Sequence, residues 1–168
     1  MKLNLGCGND IKEGYINIDI RTPVSMKKCT TIDFMMHDLK ITLPVKNNTA
    51  DYILAKDVLE HFSWRDTERI FTDWVRVLKK KGKLRLVVPN IDVHIKWYLE
   101  NKGKGNGEYK NVLSCLRGNL FGGQDYSGNF HKTCFNPDSV KDLFKKNKLY
   151  MIEFDLSERA VIAVGEKK

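Results

Sequence analysis

The chain has 168 residues, of which 42% are hydrophobic and 30% are charged, and its formal net charge is +8. This length suits one domain with a substantial core, and the composition is that of a globular protein rather than a disordered or fibrous one. The sequence contains no run of 18 apolar residues, so we expect no membrane span. We therefore expect a single domain over residues 1–168.

Cysteine usage indicates the compartment. Four cysteines, Cys7, Cys29, Cys115 and Cys134, are widely spaced and form no Cys-x-x-Cys pair. This pattern is typical of free thiols in a reducing compartment and not of zinc ligands. The N-terminus enters a strand directly and shows no signal-peptide pattern. We therefore expect a cytoplasmic protein without a metal site.

The positive charge raises the question of a nucleic-acid partner. The lysines fall into separate groups, at residues 79–83, 102–104, 145–148 and in the C-terminal tail. Two of these groups lie at predicted helix ends, where cations complement the helix dipole. A solvated lysine surface therefore accounts for the charge more simply, and a nucleic-acid partner remains the alternative.

The first strands carry the main motif. Leu3-Asn4-Leu5 predicts a strand that ends in the turn Gly6-Cys7-Gly8, and a second strand-like run, Tyr15 to Ile18, ends in Asp19. Glycines let the backbone approach a ligand, and a carboxylate can accept hydrogen bonds from both hydroxyls of a ribose. The arrangement predicts a nucleotide-type pocket at the carboxyl edge of a parallel sheet, although an ordinary turn can contain the same glycines.

The connection between these two strands is short. Residues 9–14 are the only ones between Gly8 and Tyr15, whereas a crossover helix with its connections needs a dozen or more residues. We therefore expect a loop or a single turn in place of a helix between the first and second strands.

The remaining elements follow in an alternating order. Asp38-Leu39 closes a third short segment, and residues 50–55 predict a fourth strand that leads into residues 56–62. An apolar face over residues 70–78 predicts a helix packed on the sheet and stopped by Gly82.

Residues 83–89 then predict a central strand, and residues 91–99 and 109–116 predict further helices. Asn136-Pro137-Asp138 is a helix start. Residues 149–156 and 160–164 predict an antiparallel hairpin at the sheet edge.

In this order the motifs resemble the class I S-adenosylmethionine-dependent methyltransferase superfamily. The resemblance covers residues 3–90 and lies in Leu-Asn-Leu-Gly-Cys-Gly (3–8), Val-Leu-Glu-His-Phe (58–62) and Leu-Lys-x-x-Gly (78–82). The short linker after the first motif resembles a subgroup of small bacterial and viral methyltransferases. The resemblance implies an α/β, Rossmann-like sheet with strand order 3-2-1-4-5-7-6 and an antiparallel strand 7.

The resemblance also implies S-adenosylmethionine as the cofactor. It assigns Gly6 and Gly8 to the methionine part, Asp19 to the ribose, and Asp38 and Leu39 to the border of the adenine. The expected cofactor-binding residues are Leu5, Gly6, Cys7, Gly8, Asp19, Ile20, Asp38, Leu39, Lys56 and Asp57, with the last two near the amino acid end or the acceptor.

Methyl transfer requires an aligned acceptor and removal of the acceptor's proton. His131 follows the glycine-rich stretch 118–128, which the superfamily's chain order places over the carboxyl edge as a lid. We expect His131 to be the general base or to orient the acceptor, with Asp57 and His61 as the alternative catalytic residues. Each of these residues also has a purely structural interpretation. His131 could pin the loop to the sheet by hydrogen bonds, Asp57 could cap a helix, and His61 could be a buried structural imidazole.

The acceptor is inferred from what the sequence lacks. After the fourth strand, residues 55–58 read Ala-Lys-Asp-Val and not an Asn-Pro-Pro-Tyr-like run, which argues against methylation of amides or adenine amino groups. We therefore expect methylation of a hydroxyl on a saccharide or small molecule. The alternatives are an RNA-modifying methyltransferase and a cofactor-binding accessory subunit that is inactive alone.

Overall fold

The structure is a computed structural model that describes residues 1–24, 33–102, 112–157 and 159–168. Its strands are β1 (Lys2–Leu5), β2 (Ile16–Asp19), β3 (Phe34–Met36), β4 (Ala50–Lys56), β5 (Leu78–Pro89), β6 (Leu149–Leu156) and β7 (Ala160–Lys167). The helices described are α1 (Thr67–Val77), α2 (Ile91–Asn101), α3 (Val112–Phe121) and α4 (Pro137–Lys146), and a 3₁₀ turn spans Leu59–His61.

The strands form one seven-stranded sheet with the order β3-β2-β1-β4-β5-β7-β6. Strand β7 is antiparallel to both β5 and β6, and the other neighbouring strands are parallel. The predicted order, the antiparallel strand 7 and the edge hairpin are thereby confirmed. Because β1 to β5 run in one direction, their carboxyl ends meet at the same edge of the sheet.

The linker between β1 and β2 is held by two buried amides. Residues 6–15, all of which the structure describes, contain no helix, as the short spacing predicted. Asn4 Nδ2 donates to Asn17 Oδ1 and to the carbonyl of Asp10, both at 2.9 Å. Asn17 Oδ1 accepts a hydrogen bond from Lys12 N at 2.8 Å, and Asn17 Nδ2 donates one to the carbonyl of Lys12 at 3.0 Å. Buried polar groups must be paired, so these bonds fix the loop against both strands where a crossover helix is absent.

The core lies between the sheet and the helices. Leu5 and Ile53 on the central strands are fully buried, and so are Phe71 and Trp74 on the predicted apolar face of α1. The ring of Phe71 lies 5.3 Å from that of Phe144 on α4. Buried aromatic side chains contribute large apolar areas, and this packing positions α1 and the turn that precedes it.

The end of α1 differs from the prediction. Leu78 already belongs to β5, and the register between β4 and β5 shifts from the pair Ala50–Leu78 to the pair Tyr52–Lys83. A Cβ at Gly82 would lie 2.9 Å from the carbonyl oxygen of Ala50. The predicted helix stop at Gly82 is therefore wrong, because this glycine permits close backbone approach at a bulge within the sheet.

Two further helix predictions can be compared. Asn136 caps α4 by accepting a hydrogen bond from Ser139 N at 2.9 Å, which confirms the predicted start. The helix predicted over residues 109–116 lies partly outside the described residues, and α3 begins at Val112. Within the described part of the chain, no helix is both long enough and apolar enough to cross a membrane.

Candidate active site

A pocket of about 360 Å³ opens at the carboxyl edge of the sheet. Segments that follow β1, β2, β3 and β4 form its walls, together with residues 126–128 and 132 of the loop before α4. This is the position at which open α/β sheets bind ligands. The sequence-predicted site residues that line it are Gly6, Gly8, Asp19, Ile20, Asp38, Leu39, Asp57 and His61.

The turn after β1 depends on its glycines. Gly6 and Gly8 have φ angles of +62° and +50°, in the left-handed region that strains other residues. Gly6 N donates to the carbonyl of Ile18 at 2.8 Å. A Cβ at Gly6 would collide with the side chain of Val58, whereas a Cβ at Gly8 would meet nothing within 4 Å. Gly6 is thus required by conformation and by space, and Gly8 by conformation alone.

Asp19 closes β2 beside this turn. Its Oδ2 accepts a hydrogen bond from Gly8 N at 2.8 Å, and its Oδ1 accepts one from Arg21 N at 3.1 Å. Each carboxylate oxygen has capacity for a second donor. The backbone therefore holds Asp19 in place while leaving both oxygens able to accept a hydrogen bond from a hydroxyl in the pocket.

The wall after β3 combines a carboxylate with an apolar side chain. Asp38 Oδ1 accepts from Lys40 N at 2.9 Å, and Leu39 is only 6% exposed. His37 lies beside them, with Nε2 3.3 Å from the carbonyl oxygen of Ile41. This combination suits a flat apolar ring that carries an exocyclic hydrogen-bond donor.

Asp57 lies in the pocket wall with a left-handed backbone. Its φ is +50°, and its N–H donates to the carbonyl of Val87 at 3.0 Å. Aspartate tolerates this region better than most residues, and such conformations concentrate at functional sites. Burial raises the pKa of Asp57, while the charges of Lys56, His61 and His131 act in the opposite direction.

Two histidine rings meet beside Asp57. The ring centroids of His61 and His131 are 4.9 Å apart with an interplanar angle of 77°. His61 Nδ1 lies 3.2 Å from the carbonyl oxygen of Phe130, and His131 Nδ1 lies 2.9 Å from that of Asn119. A carbonyl can only accept, so both Nδ1 atoms donate. Burial and the neighbouring His131 lower the pKa of His61.

Glu60 is the principal site feature that the sequence analysis missed. Its side chain is 2% exposed, and its Oε2 atom is buried with no hydrogen-bond partner among the described residues. Burial raises the pKa of Glu60 to about 8, and the charge of Asp57 adds to this effect. The sequence signal that could have identified Glu60 is a charged residue between apolar residues in the run Val58-Leu59-Glu60-His61-Phe62.

Four predicted site residues are not among those that line the pocket. Leu5 is fully buried in the core, Cys7 is 4% exposed, and Lys56 is exposed at the end of β4. His131 instead lines a small cavity that it shares with Glu60. Sequence reasoning did not name several other pocket-lining residues as site residues: Val58 and Phe62, which belong to the recognised motif 58–62, and Arg21, His37, Lys40 and Lys132, which lie outside the recognised motifs.

The glycine-rich segment reaches the rim of the pocket. Tyr126 and Gly128 line the pocket, and the guanidinium carbon of Arg21 lies 3.6 Å from the centroid of the Tyr126 ring. This cation–π contact joins the end of β2 to the loop before α4. The loop therefore lies along one side of the pocket, and its movement as a lid remains a prediction.

Cys7 gives a testable consequence of burial in this turn. Burial, reinforced by the charge of Asp19, raises the pKa of the Cys7 thiol to about 12. Only the thiolate reacts with alkylating agents, so Cys7 should be labelled by iodoacetamide at pH 8 at least about 100-fold more slowly than exposed Cys134. Peptide mapping by mass spectrometry measures both rates, and equal labelling would contradict the burial of this thiol.

Comparison with known proteins places this geometry in a family. Residues 3–86 match a family model described as a methyltransferase domain. No curated protein sequence matches the chain.

Solved structures share the fold at low sequence identity. A SAM-dependent methyltransferase from Methanosarcina mazei is 16% identical, with a TM-score of 0.71 over 99% of this chain and 91% of that one. The 1,6-didemethyltoxoflavin-N1-methyltransferase of Burkholderia thailandensis, with bound 1,6-didemethyltoxoflavin and S-adenosylhomocysteine, is 9% identical (TM-score 0.65; 99% and 70% covered). A Haloferax volcanii protein described as a methyltransferase, in complex with the Trm112 methyltransferase activator, is 13% identical (TM-score 0.65; 98% and 80% covered).

The matched residues include the glycine turn, Asp19, the Asp57 wall and most of β5, and they amount to half of the chain. The sheet order is that of the class I methyltransferase fold, which agrees with the family match. The chain belongs to the methyltransferase domain family.

Proposed function

We propose that this chain is an S-adenosylmethionine-dependent methyltransferase that methylates a hydroxyl group of a saccharide or another small molecule. The observation that carries the proposal is the Asp19 carboxylate, held by backbone N–H groups beside the Gly6–Gly8 turn. Family membership and the S-adenosylhomocysteine bound by the Burkholderia neighbour support the same cofactor.

The residues of the pocket fit this cofactor. Asp19 has free acceptor capacity for two ribose hydroxyls, and Asp38 beside Leu39 suits the amino group and the face of adenine. The Gly6–Gly8 turn leaves room for the methionine part. When bound, the cofactor supplies an electrophilic methyl group on a positively charged sulfur, which the carboxylates of this pocket complement.

The protein must bring the acceptor hydroxyl close and take its proton. We propose that the carboxylate of Asp57 accepts this proton, because it lines the pocket and its backbone is fixed by the hydrogen bond from Asp57 N to the carbonyl of Val87. His61 also lines the pocket and can orient the acceptor. His131, the first choice of the sequence analysis, contacts the ring of His61, so we propose that it acts through His61 and positions that ring.

One lysine-rich groove lies away from the pocket and does not support RNA as the acceptor. One lysine cluster, Lys141, Lys145, Lys148, Lys167 and Lys168, surrounds a groove at the start of β6 and the end of β7. Because β7 pairs antiparallel with β5, this groove lies at the amino edge of the parallel strands, opposite the pocket. A basic surface there would not guide RNA to Asp57.

A partner-dependent enzyme is the second candidate, and exposed apolar side chains favour it. Ile20, Met36 and Ile41, near the β3 side of the pocket, are 56%, 68% and 62% exposed. Such side chains are compatible with a covering partner, and the Haloferax neighbour forms a complex with an activator. If the purified chain alone binds the cofactor and releases S-adenosylhomocysteine, this second candidate is excluded.

The cofactor assignment is tested at Asp19. Asp19→Ala should weaken S-adenosylmethionine binding by about 1.5–3 kcal/mol, the usual contribution of hydrogen bonds to a charged group. Isothermal titration calorimetry measures the change. Asp10→Ala is the matched control, because Asp10 is an exposed carboxylate near the same turn that pairs with Lys12. Equal affinity of wild type and Asp19→Ala would overturn the ribose assignment.

A further inference from the structure

We propose that Glu60, His61 and His131 bind a divalent first-row transition-metal cation between the pocket, which His61 lines, and the small cavity that Glu60 and His131 line. One ligand atom from each residue can be chosen so that all three lie within 4.8 Å of one another. The sequence analysis expected no metal site because it considered cysteine spacing, and these ligands come from two segments about 70 residues apart.

The histidines are oriented as metal ligands require. Each Nδ1 donates to a backbone carbonyl, that of Phe130 for His61 and that of Asn119 for His131. In a neutral imidazole the other nitrogen, Nε2, then carries a free lone pair. Metal-binding histidines characteristically bond a carbonyl or carboxylate through their second nitrogen, which fixes both tautomer and ring angle.

Glu60 supplies the independent observation. Its side chain is 2% exposed, yet its Oε2 atom has no hydrogen-bond partner among the described residues. An unpaired polar atom in the interior costs free energy, and burying a charged carboxylate without a partner costs more. A cation at this position would satisfy Oε2 and remove the cost.

The two segments are tied together before any ion binds. The backbone carbonyl of Glu60 accepts hydrogen bonds from Lys132 N at 2.8 Å and from Thr133 N at 3.3 Å. Together with the bond from His61 to the Phe130 carbonyl, these contacts lock the turn 59–61 to the segment 130–133. The ligands are therefore preorganised, which reduces the entropic cost of binding.

The donor set selects the class of ion. Two imidazoles and one carboxylate suit Zn²⁺, Co²⁺, Mn²⁺ or Fe²⁺ with open coordination positions, and they suit Mg²⁺ and Ca²⁺ poorly. Ligands at about 2.1 Å from a tetrahedral ion are about 3.4 Å apart. The limit of 4.8 Å between the three ligand atoms is longer than this distance, so binding would draw the ligands closer together.

The location suggests a function for the ion. His61 lines the pocket while Glu60 and His131 line the small cavity next to it, so a bound ion would lie near the proposed acceptor site. A cation there would polarise an acceptor oxygen and favour loss of its proton. This catalytic role rests on the proposed function, whereas metal binding does not.

The test is titration of chelator-treated, dialysed full-length protein with Co²⁺ and Zn²⁺, followed by calorimetry and by the visible absorption of Co²⁺. We expect one equivalent to bind, with affinity reduced more than about tenfold in Glu60→Gln and in His131→Ala. His37→Ala and Cys134→Ser are the controls for adventitious histidine and thiol binding and should bind as the wild type does. Circular dichroism checks that every variant is folded.

A second measurement uses the wild-type protein alone. The proton NMR spectrum of the Co²⁺ form should show two paramagnetically shifted, exchangeable imidazole N–H signals, because both Nδ1 protons are retained. Absence of stoichiometric binding, fewer than two such signals, or unchanged affinity in Glu60→Gln and His131→Ala would overturn the proposal. S-adenosylmethionine binding, measured in parallel, separates failure of the metal site from failure of the proposed function.

Discussion

Replacement of Asp57 by Asn is expected to lower the rate of methyl transfer by roughly 10²–10⁴-fold, the usual contribution of a general base. Asparagine adopts the left-handed backbone conformation as readily as aspartate does, so the φ of +50° is preserved. The amide has the same shape but cannot take the proton of the acceptor hydroxyl. The rate is measured as release of S-adenosylhomocysteine over a panel of saccharide and small-molecule hydroxyl acceptors.

The interpretation of this variant depends on cofactor binding. Asp57 also lines the proposed cofactor pocket, so S-adenosylmethionine affinity is measured in parallel and turnover is compared at saturating cofactor, where a lower rate reports the chemical role of Asp57. Asp66→Asn, an equivalent change at an exposed carboxylate outside the pocket, should leave turnover unchanged. Turnover of Asp57→Asn near that of the wild type would remove Asp57 from the catalytic role and return it to His61 or His131.

The sequence predicted the sheet well because its signals are local or shared by the superfamily. Apolar strand patterns, the glycine turn and the acid at Asp19 identify the elements, and the superfamily resemblance supplies their order. The missing crossover helix follows from residue counting alone. The buried pair Asn4–Asn17, which replaces that helix as the support of the linker, was not predicted, because its contacts join residues distant in the chain.

The site was harder to predict for a physical reason. Residues such as Arg21 and Lys132 reach the pocket because of where their strand or loop ends, and the sequence around them carries no pattern for that position. His131 is the opposite case, since its motif is recognisable while its ring lies behind His61. Glu60 belongs to the recognised motif 58–62, and its position in a largely apolar run is a weak local signal of the burial that the structure shows.

Replacement of Gly6 by Ala should give a large loss of stability. The left-handed φ of +62° costs an alanine roughly 1–2 kcal/mol. The new Cβ would also collide with the Val58 side chain, whose own Cβ would be 2.6 Å away, and overpacking of this kind typically costs 1–3 kcal/mol. We therefore expect the free energy of unfolding, measured by urea denaturation, to fall by about 2–5 kcal/mol.

Gly14→Ala separates the two contributions, because Gly14 has a φ of +73° and a Cβ there would meet nothing within 4 Å. It should lose only the conformational part, roughly 1–2 kcal/mol of the free energy of unfolding.

Val58→Ala removes the methyl groups that the new Cβ would meet. Adding it to Gly6→Ala should therefore recover part of the collision cost, which a double-mutant cycle measures as a coupling energy. If Gly6→Ala were no less stable than Gly14→Ala, the close packing of the turn after β1 against Val58 would not contribute to stability, and Gly6 would be needed for its backbone conformation alone.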